Sequence, residues 1–209
     1  MKRLMILFAF LTAVPTYAVT LQIDPNHSQA TFSVKHMMVT TVRGDFSKVN
    51  GTIEYQPNDP SRSHADIKID ASSIDTRNEK RDGHLKSADF FDVEKCPDIT
   101  FKSNNIQKGG SKHQFKVTGD LTMHCVTKPV TLTVEGPNGP IKHPSGANVY
   151  AASVTGKINR KDFGLNWNKA LESGGVVVSD EVNMSIDLEM NESKADAQKE
   201  AQAETNKKK

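Results

Sequence analysis

Cysteine is almost absent from this chain of 209 residues, which has only Cys96 and Cys125. Neither those two nor the seven histidines fall into CxxC, HxH or HxxxH spacing, so no metal-binding frame is legible and no metal is expected. His124 and Cys125 are sequence neighbours, and on a strand they would point to opposite faces. Charge of one sign is also lacking. The 27 basic and 25 acidic side chains leave a formal +2, too small a field to suggest nucleic acid as a partner. The longest apolar run, Leu4 to Val14, is too short to cross a bilayer. GxGxxG, GxxxxGK[ST] and GxSxG do not occur, so the usual marks of dinucleotide, phosphate and serine-esterase chemistry are missing. Aromatics make up 6% of the chain, too few to fill a large interior by themselves.

The two ends do not read as fold. Met1-Lys2-Arg3, the apolar run and Thr16-Tyr17-Ala18 have the layout of a secretory signal peptide, with cleavage expected after Ala18 and a periplasmic or secreted product. Residues 191–209 contain no Val, Ile, Leu or aromatic side chain, so a disordered polar tail is expected there. Its closing lysines suit a solubilising end first and a transient membrane contact second.

Between the ends, at 19–190, the dominant period is two. Phe32, Val34, His36 and Met38 fall on one face of ATFSVKHMM. Further alternating sets are Ile67 and Ile69, Val117 and Leu121, Val130 and Leu132, Val154 and Ile158, and Met184 and Ile186. QPNDPS (56–61), QKGGS (107–111), GPNGP (136–140) and HPSG (143–146) supply turns between them. That predicts about eight or nine antiparallel strands, with no crossover helices for a parallel sheet. Long strands, mid-strand glycines at Gly44, Gly119 and Gly156, and an inner face rich in small or flexible side chains favour a closed barrel with room inside.

Only residues 74–95 break the alternation. RDGHLKSADFFDV (81–93) is densely polar, and a helix is expected near 78–88, capped by Asp75 or Thr76 and packed down by Phe90 and Phe91. A helical pitch separates Asp82 from His84, so the cluster reads as a charged structural corner and no catalytic residue is assigned. INRKDFGLNW admits two readings: Arg160 facing a phosphate, or Arg160 satisfying carbonyls while Phe163 plugs the barrel. The second is favoured.

SIDTRNEKRDGHLKSADFFDVEKCPDITFKS resembles the signature region of the YceI-like family of exported lipid-binding proteins. DPNHSQATFSVKH, VRGDFSKVNGTI, GDLTMHCVTKPVTL and INRKDFGL extend the resemblance in order from about Ile23 to Leu188. It implies a lipocalin-like, extended antiparallel β-barrel of about eight strands, with a helix near one end. It also implies an apolar tunnel for a polyisoprenoid, a quinone tail or a fatty-acid derivative, no cofactor and no enzymatic activity. A homodimer is open, since the family includes dimers. The expected ligand-binding wall is Phe32, Val34, His36, Met38, Ile67, Ile69, Val117, Leu121, Val154, Ile158, Met184 and Ile186. His36, at a family-like position, either meets a lipid headgroup or is paired within the protein. The alternatives are an isomerase or hydrolase using the same cavity, and a protein-interaction module with a filled barrel.

The family usually has an aromatic at the position of Cys96 and a glycine at that of Cys125. In an exported protein two cysteines suggest a disulfide. A hairpin turning at Gly109-Gly110 sets Cys96 opposite Met123, two residues from Cys125, close enough to expect the Cys96–Cys125 bridge.

Overall fold

The computed structural model describes residues 18–172 and 174–198. Alternation becomes eleven strands: β1 (Val19–Ile23), β2 (Gln29–His36), β3 (Thr40–Phe46), β4 (Val49–Tyr55), β5 (His64–Asp70), β6 (Ile74–Asp75), β7 (Asp98–Lys108), β8 (Gln114–Met123), β9 (Val126–Lys142), β10 (Asn148–Asn159) and β11 (Val178–Glu192). A single helix of two turns, α1 (Glu79–Lys86), lies between β6 and β7. All pairings among these strands are antiparallel.

The order β1-β4-β5-β7-β8-β9-β10-β11 closes on itself because β11 also pairs β1, with Leu21 opposite Glu192. This is an eight-stranded barrel, and closure removes the edges its long strands would otherwise expose. β11 is long enough to serve two neighbours. Its last residues pair β1, while Val178–Asp187 pairs β2, which carries β3 and the short β6 as a spur. The most fully buried large side chains lie in two places. Leu21, Val49 and Met190 are sealed within the wall, and Phe163 is sealed at the corner after β10. Near α1, Phe46 packs edge-on against Phe91 and tilted against Phe32.

Two of the mid-strand glycines are beds for aromatic rings. A Cβ on Gly44 would lie 2.6 Å from the Phe32 ring, and one on Gly119 would lie 2.5 Å from Phe101. The close approach anticipated at these positions comes from the protein's own side chains.

Several local expectations change. GPNGP is not a turn. It lies inside the 17-residue β9, where register shifts against β10 and positive φ at Gly136 and Gly139 accommodate the irregularity. The β7–β8 turn lies beyond Gly110, so Thr100 faces Thr122 and the strand register brings Cys96 nearer Cys125 than the sequence count did. His124 and Cys125 are not on a strand; they form the two-residue β8–β9 turn, both with left-handed φ. Cys125 is bonded to Cys96, with the Cα atoms 5.4 Å apart. The cap of α1 is neither Asp75 nor Thr76 but Asn78, whose Oδ1 accepts from the Arg81 N–H at 2.9 Å.

At the C-terminal side the strand outlasts the expected boundary. β11 includes Asn191 and Glu192, and residues 194–198 form one helical turn anchored where Asp196 accepts from the Thr20 N–H at 3.0 Å. The expected leader, apart from Ala18, and the remainder of the expected tail lie outside the described residues. No helix among the described residues is long and apolar enough to cross a membrane.

Candidate functional site: an apolar cavity in the barrel

The barrel is hollow. Inward-facing residues from nearly every strand surround a cavity of about 400 Å³, within the range of roughly 300–1,000 Å³ common for small-molecule sites. Its wall is almost wholly apolar. Eleven of the twelve wall residues expected from alternation line it: Phe32, Val34 and His36 from β2, Ile67 and Ile69 from β5, Val117 and Leu121 from β8, Val154 and Ile158 from β10, and Met184 and Ile186 from β11. Register explains the convergence. Val154 faces Ile186 across β10 and β11, and Met184 faces Phe32 across β11 and β2, so side chains on one face of each strand meet inside.

Met38 is the exception. The chain turns immediately after His36, and Met37 and Met38 both take left-handed φ in the β2–β3 turn. Alternation counted through that turn carries one position too far, and Met38 is exposed outside the cavity.

Other wall residues come from irregular segments that sequence periodicity does not reach. α1 contributes Arg81, His84 and Leu85, Phe90 and Phe91 follow it, and Trp167 comes from the segment before β11. Rings of His84, Phe90 and Trp167 pack together with centroids 5.0–5.3 Å apart, forming an aromatic lid on this end. The polar letters of RDGHLKSADFFDV hold that lid in place. Arg81 donates to the Thr76 hydroxyl at 2.7 Å and to the Thr76 carbonyl at 2.8 Å, while Asp82 accepts from the Thr76 N–H at 3.0 Å and from its hydroxyl. His84 Nε2 pairs with Asp89 at 2.9 Å. The cluster bolts α1 to the end of β6. The density of charged residues around Phe90 and Phe91 was the available signal that this helix closes something apolar.

Arg160 also borders the cavity but is not directed to an outside phosphate. It is 3% exposed and donates to the carbonyls of Ser179 (3.0 Å), Leu165, Trp167 (2.9 Å) and Val178 (3.4 Å), with Asp180 beside it at 3.4 Å. Burial pushes its guanidinium below the ordinary arginine value, and Asp180 opposes that shift. This is the structural corner, and Phe163, 1% exposed, is its plug. His36 lines the cavity at the end of β2 and makes no side-chain hydrogen bond among the described residues. Tyr55, at the opposite end of the wall, has its phenol pushed upward by burial. No carboxylate among the described residues lines the cavity.

Elsewhere, Asp24, His27 and Glu189 meet at the β1–β2 corner, with His27 Nδ1 3.2 Å from Asp24 and 3.4 Å from Glu189. These groups satisfy one another as ion pairs, and the cluster lies outside the cavity.

A model of the YceI-like domain matches residues 21–190. The chain belongs to the YceI-like family. Relatives of this YceI-like protein include a UPF0312 protein of Staphylococcus aureus strain N315, 41% identical over 167 residues that cover 79% of this chain and 94% of the relative. The crystal structure of a Campylobacter jejuni YCEI protein superposes with a TM-score of 0.65 at 32% identity, covering 77% of this chain and 90% of that one. Burkholderia cenocepacia BcnA gives a TM-score of 0.68 at 24% identity, covering 80% and 98%. A polyisoprenoid binding domain from Saccharophagus degradans gives 0.60 at 16% identity, covering 84% and 99%. The last two likenesses are of fold.

Proposed function

We propose that this YceI-like protein is exported and holds one amphipathic long-chain lipid in its barrel, sequestering or carrying it without chemical change. The carrying observation is the hollow itself: about 400 Å³ of apolar space where a filled barrel would have interlocked side chains. At the ~30 Å³ a water-sized group takes in a liquid, it accommodates about 13 chain atoms. Each buried methylene contributes about 0.8 kcal/mol, so a dozen supply roughly 10 kcal/mol before association and ordering costs. Net affinities in the micromolar to nanomolar range follow without a charged contact. A polyisoprenoid, a quinone tail or a fatty-acid derivative fits this chemistry. The shared fold of a domain described as polyisoprenoid binding supports the first of these.

Binding without catalysis is the better reading of the wall. The Thr76 hydroxyl is held between Arg81 and Asp82, Arg160 is saturated by carbonyls, and the cavity offers no carboxylate as an acid–base partner among the described residues. Export rests on the leader-like residues 1–18.

The test is extraction. Protein purified without detergent is extracted with organic solvent and the extract is weighed by mass spectrometry. A prenyl or acyl chain in about one equivalent is expected. A lipid-free extract, together with no binding of a fluorescent prenyl or acyl probe, overturns the proposal.

A further inference from the structure

The β2–β3 turn is built from the wrong residues for its shape. Met37 and Met38 have φ of 50° and 59°, and the Val39 N–H donates to the His36 carbonyl at 3.1 Å. Two successive left-handed residues closing a hairpin call for Asn-Gly or Asp-Gly. Methionine at such positions is disfavoured by its Cβ. Among the described residues the same three form the one contiguous group of exposed large apolar side chains, with Met37 46%, Met38 61% and Val39 79% exposed. A sequence that accepts unfavourable turn chemistry and unfavourable solvation at the same place points to a use for that place.

Its location suggests the use. His36, the residue before the turn, and Val42, just after it, line the cavity. The Met37 N–H donates to the Val177 carbonyl at 2.8 Å, and Met38 lies against Gly175. This ties the tip to the segment carrying Trp167, Val177 and Val178, which line the same end of the cavity. Behind the tip stand Lys35 and Arg43 on the outer face of the hairpin, and Lys169 on the facing segment, where its carbonyl accepts from the Val177 N–H. All three are exposed and have no ion-pair partner among the described residues. Glu172, on the adjoining turn, is an exposed opposing charge, while Asp180 and Glu181, next to the Ser179 hydroxyl that accepts from the Lys35 N–H, are paired with Arg160, Lys161 and Lys157.

We propose that Met37, Met38 and Val39 form a membrane-docking tip that seats the lidded end of the barrel on an anionic lipid surface, and that the ligand enters and leaves the cavity there. This rests on the lipid-binding reading above and names the partner of that site. A convex tip of three side chains is too small for the roughly 800 Å² per partner of a stable protein interface. It suits insertion into the headgroup boundary, where apolar burial and nearby cations act together.

The experiment is co-flotation of the full protein with vesicles of phosphatidylcholine, with and without 30 mol% phosphatidylglycerol. Wild type should float with the anionic vesicles and bind the neutral ones weakly. Met37→Asn with Met38→Gly and Val39→Thr restores favoured turn chemistry, so the fold should be retained; it should lose about tenfold or more in vesicle affinity. Lys35→Glu with Arg43→Glu should remove the preference for anionic vesicles. The turn variant should keep its affinity for a water-soluble fluorescent acyl probe while taking up a bilayer-held probe more slowly. If it floats as well as wild type, or if wild type floats with neither vesicle, the docking proposal is overturned. A tip-dependent dimer in light scattering, with no flotation, also overturns it and assigns the tip to a second copy. Val154→Trp separates the two claims: lost probe binding with flotation intact supports both. Tip-dependent flotation by a wild type that binds no probe leaves docking standing and removes the cavity reading.

Discussion

Arg160 shows how much one side chain can hold. Its guanidinium satisfies four carbonyls from two stretches of chain and sits beside Asp180. Arg160→Met keeps much of the volume but leaves those acceptors buried without donors. A loss of about 3–5 kcal/mol is expected in urea unfolding, with no change in net ligand chemistry. His27 carries a smaller, pH-dependent effect. Hydrogen bonding to Asp24 and the nearby Glu189 raise its pKa above the ordinary 6.5. Asp24 is lowered from 3.8, chiefly by the Asn26 N–H and secondarily by His27. The raised His27 contributes below its ordinary value and is lost as pH rises through its folded value. Asp24 contributes above its ordinary value and is lost as pH falls through its folded one. The corner is therefore tightest between the two ordinary values. An NMR titration should place the His27 midpoint above 6.5, and Asp24→Asn should move it downward. At this scale legibility was uneven. Val154 and Ile186 face inward because strand geometry leaves no other choice, whereas Met38 was misplaced because nothing in ATFSVKHMM marks where the strand stops.

Elements show what the disulfide is for. Cys125 occupies the second position of a two-residue turn with φ 57°, where a glycine would sit without strain. Bonding to Cys96 across 29 residues offsets that cost by about 3 kcal/mol on the chain-entropy model. Cys96→Ser with Cys125→Ser should lower stability by about that amount. Cys96→Ser with Cys125→Gly should recover roughly 1 kcal/mol of it, read from denaturant midpoints at constant slope. Helix α1 was legible as an interruption in the period of two. Its cap and its role as a lid were not, because Asn78, Arg81 and Thr76 acquire their functions only when β6 lies beside them. GPNGP misled for the complementary reason: glycine and proline mark irregular backbone, and a bulged strand needs it as much as a turn does.

For the molecule as a whole, the decisive property is the void. Trp in place of Val154 fills it from a strand that is otherwise well paired, so probe binding should fall by about tenfold or more while far-ultraviolet circular dichroism stays the same. Unchanged uptake would remove Val154 from the binding wall. Gly44→Ala should act from outside the cavity, forcing the Phe32 ring to move and costing about 1–3 kcal/mol in thermal or urea unfolding. The barrel architecture and the inner face were readable because closing a sheet repeats one rule eight times, although eleven strands form where eight or nine were expected. Trp167, Arg81 and His84 were not, since they belong to segments without a repeat. The pairing of Leu21 with Glu192 has one more consequence. During synthesis, the first strand made has to wait for the last, so a growing chain remains an open, curling ribbon until its final strand arrives. Ring formation therefore has to wait until β11 has been synthesised, and closure is the most non-local step of this fold.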